Sequence, residues 1–272
     1  MAYTTGIATD YLDLLNRLKQ FVTQDMLPAN ERWSVLRWEP GPPAELVLQG
    51  PGLAGTDQIN VGIRSVAGAD YGNWELRGYV AWNPALPFNS QYKQSGAYYA
   101  MLMTSAMPYW IVANGRRIVM VAKTSTHYEM MYLGLFLPYA TPAQYQYPLL
   151  VAGSYNQSMR YSETPSNRSS FTKALRVDGY TNYSINYYTP AGDWKKANIW
   201  PYDIGDMREC PDGSYPLLPV IMDGLGEIDG VYVVPGYKNA SENTITVDGV
   251  NYLVVQNVNR TGYNDYSAVK LA

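Results

Sequence analysis

Histidine and cysteine are almost missing from this 272-residue chain, which holds one of each, His127 and Cys210. A single cysteine excludes an internal disulfide framework and any multi-cysteine zinc site. A single histidine means that every imidazole-dependent scheme must use His127. Charge is scarce too: 16% of residues are Asp, Glu, Lys or Arg, against roughly 25% in average soluble domains. The net charge is −3 and no long Lys/Arg run occurs, so the phosphate-neutralising cluster that duplex nucleic acid demands is lacking. No apolar stretch approaches the ~20 residues of a membrane helix. The start, M-A-Y-T-T-G-I-A-T-D, has neither the basic nor the apolar part of a signal peptide. The expectation is a protein made in a cytosol, with no membrane insertion. What is abundant is tyrosine, 26 residues, with 7 tryptophans. These side chains supply large, stiff contact area with one polar tip, suited to interfaces and sugar platforms. The composition suits touching other molecules better than transforming them.

Hydrophobic periodicity gives the organisation. Tyr11, Leu14, Leu15, Leu18, Phe21 and Val22 form one apolar stripe at helical spacing, with Thr9 or Asp10 as cap and Pro28 as stop. The stripe is expected to pack on the sheet that follows. After Pro28 the period becomes two, and residues 33–38, 45–49, 58–66 and 72–82 read as strands. In the last of these, Trp74, Leu76, Gly78, Val80 and Trp82 share one face. Asn114-Gly115 and Asp248-Gly249 each sit between strand-like runs and predict hairpins with type I′ turns. Tyr128 to Leu137 is strand-like, with Gly134 as a bulge or a point of close approach. From 154 to 200 the pattern dissolves into polar sequence with scattered aromatics, too long for a plain connector.

The fold expected is therefore mostly β with an N-terminal α-helix: antiparallel, sandwich-like sheets followed by a smaller C-terminal β-unit. The divisions are 1–153, helix plus β domain; 154–200, Tyr-rich loop or linker; and 201–272, C-terminal β domain. Leu14, Leu18, Phe21, Leu46, Leu48, Val61, Ile63, Trp74, Leu76, Ile118, Val121, Tyr252 and Val254 are the expected core.

G-P-G-L-A-G at 50–55 matches a dinucleotide fingerprint on paper, but a strand rather than a helix follows and Pro51 removes a donor. It reads as a turn, and no cofactor is expected. Ser125 is two residues from His127, but no G-x-S-x-G elbow surrounds any serine, so His127 reads as a strand-start residue with ordinary hydrogen bonding. Asp223, Glu227 and Asp229 in a glycine-rich turn offer oxygen ligands for a hard cation, but acidic turns are common and the spacing is not that of an EF-hand; no metal is assigned. A glycosidase would need two opposed carboxylates, and nothing pairs any two of Glu45, Glu75, Asp206 and Glu209. The five N-x-S/T sequons, at Asn156, Asn167, Asn182, Asn239 and Asn259, are read as coincidence in an Asn-, Ser- and Thr-rich chain. Enzymatic activity is not expected. In adjacent aromatic pairs such as Tyr98-Tyr99, an extended backbone turns one ring outward. Tyr98, Tyr109, Tyr155, Tyr161, Tyr187, Tyr188 and Trp194 are the candidate partner contacts.

Several segments together resemble a family of virion structural proteins of tailed bacteriophages. They are M-A-Y-T-T-G-I-A-T-D-Y-L-D-L-L at the start; E-L-V-L-Q-G-P-G-L-A-G-T-D-Q-I-N-V-G-I-R and Y-G-N-W-E-L-R-G-Y; M-P-Y-W-I-V-A-N-G-R-R-I-V-M-V-A-K; and L-G-E-I-D-G-V-Y-V-V-P-G followed by D-Y-S-A-V-K-L. The likeness spans both ends and most of residues 1–152, and weakens after Ser154. It implies a non-enzymatic component of the tail, baseplate or neck/collar, assembled in the host bacterial cytoplasm and located in the virion. Its partners would be copies of itself and other virion proteins. These motifs carry over no active-site residues. A second expectation, from the outward rings of the polar segment, is a module that binds host-surface glycan.

Overall fold

A computed structural model describes residues 1–24, 27–140, 147–153, 159–162, 170–172, 181–201 and 216–271. The first element, strand β1, Ala2–Ala8, has no alternating core pattern to announce it in the sequence. Helix α1, Tyr11–Thr23, follows as expected. Asp10 caps it, its carboxylate accepting the amides of Leu12 and Asp13 at 2.8 Å. All six stripe residues are buried.

Two antiparallel sheets take the remaining strands. The smaller has five, in chain order: β2 Ser34–Glu39, β3 Glu45–Gly50, β4 Ile59–Ala67, β5 Gly72–Tyr79 and β6 Tyr98–Ala100. The larger begins with β1 as its edge, followed by β7 Met107–Ala113, β8 Arg117–Thr124, β9 His127–Leu135 and β11 Leu149–Ala152. It continues through β12 Thr181–Tyr188, β13 Trp194–Trp200, β14 Leu218–Met222, β15 Gly226–Val234, β18 Tyr266–Lys270, β17 Val250–Gln256 and β16 Thr244–Val247. A short strand β10, Leu137–Pro138, pairs with β15 off this path.

Strands β7, β8, β9 and β11 form a middle layer with no polar face. Ile111, Ala113, Ile118, Met120, Ala122, Met131, Leu133, Leu149 and Val151 point into one core. That core also holds α1 and the inner face of the small sheet, including Leu46, Leu48, Val61, Ile63, Trp74 and Leu76. The alternate residues Val112, Val119, Val121, Met130, Tyr132, Leu150 and Ala152 point into a second core. There they meet Val220, Val231, Val233, Leu253, Val255 and Val269, so the large sheet curls its C-terminal strands back over its own first half. All thirteen core residues expected from sequence are buried.

The mostly β fold with one N-terminal helix and a smaller C-terminal strand group is as expected. Some details differ. Residues 181–200, read as loop or linker, supply β12 and β13, which join the first half of the sheet to the C-terminal strands. Strand β5 ends at Tyr79, and Trp82 does not share the Trp74 face. It packs instead on Tyr79 (centroids 5.3 Å apart) beneath the Arg37 guanidinium, 4.7 Å from the ring centre. Asp248-Gly249 adopts the positive φ values (+51° and +76°) of the expected type I′ turn. Asn114-Gly115 makes the expected hairpin with different chemistry, because neither residue has positive φ. Asn114 Oδ1 accepts the Arg116 and Arg117 amides at 2.8 and 3.0 Å. Glycine at 115 is needed for room: a Cβ there would overlap the Gly52 carbonyl. Gly134 is the close-approach point foreseen, with φ +137° and the Arg116 carbonyl against it.

Polar ties hold the layers in register. Glu75, almost fully buried, takes Arg64 on one oxygen and Arg77 on the other, each at 2.6 Å. Lys123 on β8 donates to Glu242 at 2.6 Å, and the Tyr128 hydroxyl donates to the same oxygen. Hydrogen bonds from Lys123 and Tyr128 hold the Glu242 carboxyl below its ordinary value of 4.5. That stabilisation is fully present above pH 4.5 and is lost as pH falls through the lower folded-state value. The pair is partly exposed, so its worth is under about 1 kcal/mol. Wild type and Glu242→Gln should therefore differ in thermal midpoint at neutral pH and converge as pH falls below 4.5. Parallel midpoint curves from pH titration of the two proteins would contradict this.

Candidate functional site

Burial sorts the expected contact residues. Tyr98, Tyr109 and Tyr187 are 3%, 4% and 4% exposed and belong to the cores. Expecting them at the surface is corrected by their hydroxyls as well as by their rings. The Tyr98 hydroxyl donates to the Ile185 carbonyl at 3.1 Å, and the Tyr187 hydroxyl donates to Asp223 at 2.8 Å. Burial pushes the Tyr98 hydroxyl far above its usual pKa. In each adjacent pair, the second ring is the one that turns outward: Tyr99, Trp110 and Tyr188 are half-buried. One ring of each pair does turn outward, but at 98–99 and 109–110 it is the neighbour of the expected one, while Tyr188 is outward as expected. Tyr161 is half-buried, its ring edge-on to His127 at 5.6 Å. Tyr155 lies outside the described residues.

Tyr188 and Trp194 come together. They face each other directly across the β12–β13 hairpin, ring centroids 5.5 Å apart and tilted by 60°. The turn between them is set by sequence: the Thr189 amide donates to Asp193 O at 2.8 Å, and Gly192 supplies φ +86°. A second segment completes the site. The Trp194 indole donates to the Lys93 carbonyl at 2.8 Å, and the Lys93 ammonium donates to the Tyr188 hydroxyl at 3.4 Å. That ammonium also lies 5.8 Å from the centre of the Tyr92 ring and 5.9 Å from that of Tyr188. The hydrogen bond to Tyr188, aided by the fields of Tyr188 and Tyr92, raises the Lys93 pKa, so the cation is kept.

Lys93 adopts a left-handed φ of +44°, a conformation costing a non-glycine residue roughly 1 kcal/mol. The loop before it is held by Gln91, whose amide donates to the carbonyls of Asn83, Leu86 and Pro87 at 3.0 to 3.1 Å. Arg37 donates to the Pro84 and Leu86 carbonyls at 2.9 and 3.0 Å. A loop pinned from two sides thus presents Tyr92, 63% exposed, beside the hairpin. The arrangement is a fixed shelf of three rings around one cation, able to stack on a flat apolar or sugar face and to donate charge-assisted hydrogen bonds. Sequence reasoning found Tyr188 and Trp194 by their outward aromatic character. It missed Tyr92 and Lys93, because only the tertiary fold brings that loop, about a hundred residues away, to the hairpin.

The carboxylates considered for other chemistry have structural occupations. Asp223 accepts the Asn198 amide and side chain and the Tyr187 hydroxyl. Asp229 pairs with buried Arg117 at 3.0 Å, and Glu227 lies beside Tyr139. The three do not converge, and no group of three potential ligands that could hold a metal ion occurs among the described residues. Glu45 is bound to Arg37 at 3.1 Å and Glu75 to its two arginines. Asp206 and Glu209 lie outside the described residues, as does Cys210. The 50–55 segment is the turn expected, with positive φ at Gly52 and Gly55. Among the described residues no helix is long and apolar enough to cross a membrane.

No protein-family model matches the chain, and no curated protein matches it.

Two rings of the shelf differ in what they do for the fold. Trp194 packs against the first core, near Gly78 and Val151, while Tyr92 is largely free of it. Tyr92→Ala should change stability by no more than ~0.5 kcal/mol, and Trp194→Ala should cost about 3 kcal/mol. Urea denaturation of both variants checks this; equal losses would mean that Tyr92 is a packing residue.

Proposed function

We propose that this protein is a structural subunit of a tailed-bacteriophage particle, of its tail and baseplate or its neck/collar, acting through protein–protein contacts. The observation that carries the reading is the shelf of Tyr92, Lys93, Tyr188 and Trp194, an aromatic surface held rigid before any partner arrives. Pre-organised rings lose little conformational freedom on binding, which is why such residues dominate interface energetics. The resemblance of the N-terminal, hairpin and C-terminal segments to virion structural proteins supplies the biological setting. The composition supports it, since repeated subunits bury charge-poor, aromatic faces against one another.

A second reading draws on the same shelf. Tilted aromatic faces beside a cation also suit a sugar ring, so the subunit would contact host-surface glycan during adsorption. The two readings separate experimentally. Purified particles analysed by quantitative mass spectrometry should contain the subunit in a fixed copy ratio, and Tyr92→Ala with Tyr188→Ala should lower its incorporation. A subunit absent from purified particles contradicts the assembly reading. Normal incorporation of the double variant, coupled with lost binding on a glycan array, would favour the sugar reading instead.

A further inference from the structure

Open sheet edges invite pairing, and folded proteins usually guard them with charge, proline, a bulge or shortness. Among the described residues, three outer strands are guarded. Strand β16 has four residues and is followed at once by the charged turn residue Asp248. Strand β6 has only three. Strand β2 carries Arg37 and Glu39, a register shift between Val35 and Arg37, and Pro40 after its end.

Strand β1 has none of these devices. Its seven residues, A-Y-T-T-G-I-A, contain no charge and no proline, and they pair with β7 in unbroken register from Ala2↔Ala113 to Ala8↔Met107. Its outward face is apolar as well. Ile7 is 64% and Tyr3 44% exposed. Across the ladder from Tyr3, Thr5 and Ile7 stand Val112, Trp110 and Pro108, of which Trp110 and Pro108 are only half-buried. An apolar strip therefore continues from β7 onto an edge that no other described strand pairs with.

We infer that β1 is the site at which a second copy of this chain docks, the two β1 strands pairing antiparallel about a two-fold axis at Thr5. The sequence is self-complementary in that register. Thr5 meets Thr5, Thr4 meets Gly6, Ala2 meets Ala8, and Tyr3 of one copy lies opposite Ile7 of the other. Thr–Thr and aromatic–β-branched pairs are favourable cross-strand neighbours, and no like charges oppose each other. A two-fold axis makes the same patch serve both sides, as isologous contacts require. The pairing also joins the Tyr3, Ile7 and Trp110 strips of the two copies into one covered apolar surface. The inference rests on the assembly reading above and names the surface it would use between like subunits.

Analytical ultracentrifugation of the full chain, with Ile7→Lys and with Thr5→Cys in a Cys210→Ser background, tests it. Wild type should dimerise. Ile7→Lys should raise the dimer dissociation constant more than about tenfold with an unchanged thermal midpoint, since Ile7 makes little use of its own subunit. Thr5→Cys should oxidise to a disulfide-linked dimer through the two-fold contact. A dimer that survives Ile7→Lys together with no Thr5→Cys cross-link overturns the β1 contact while leaving assembly through another surface standing. A wild type that stays monomeric at all concentrations and is absent from particles overturns both.

Discussion

Burial of β7, β8, β9 and β11 on both faces is the constraint from which the rest of the architecture follows. A strand with apolar side chains on both sides cannot face water, so each face must be roofed. The N-terminal helix and the small sheet roof one, and the C-terminal strands of the same large sheet roof the other. Each roof is in turn amphipathic, which is why the charge of this chain, scarce as it is, concentrates on outer faces and in a few buried pairs. Burying a methylene is worth ~0.8 kcal/mol, so the two cores together supply the driving force, and the polar ties choose the register. The Arg64–Glu75–Arg77 group is one such tie, each oxygen of the carboxylate having its own partner. Ion pairs of this kind add little net stability, but breaking one strands a charge in the interior.

Much of the tyrosine is explained by the same constraint. Tyr79, Tyr98, Tyr132 and Tyr187 are buried rings whose hydroxyls donate to Phe88 O, Ile185 O, Leu135 O and Asp223. Each fills core volume and satisfies a polar group with one side chain, a double role no aliphatic residue can play. The rings left over for contact are fewer than composition suggests; Tyr139, Trp200, Tyr237 and Tyr263 are exposed as well, but two groupings carry the contact surfaces. Tyr92, Tyr188 and Trp194 form one shelf, and Tyr3 lies on the bare edge strand with Ile7.

The helix was legible because its stripe is strict and its start offers capping side chains, Thr9 or Asp10, of which Asp10 takes the role. The middle strands were legible as long apolar runs, and the Asp248-Gly249 turn because its left-handed backbone demands such residues. Strand β1 was not, since its larger side chains, Tyr3 and Ile7, point to water rather than into a core. The hairpin of β12 and β13 was lost for a related reason: its outer positions are Lys195, Lys196 and Asn198, and its pairing partners lie far away in sequence. The phase of the aromatic pairs was beyond local reasoning too. Alternation says that one ring of Tyr98-Tyr99 or Tyr187-Tyr188 faces inward, but only the packing of neighbouring layers decides which.

Hydrogen exchange on the free protein and on the assembled particle tests the division between an invariant scaffold and contact surfaces most directly. Amides of β8 and β9 should be the slowest in both states, while the outward amides of β1 and those of the segment around Tyr92 exchange readily in the monomer at high dilution and become protected on pairing and assembly. Equal exchange of β1 and Tyr92 amides in both states, or fast exchange in β8, would contradict the account.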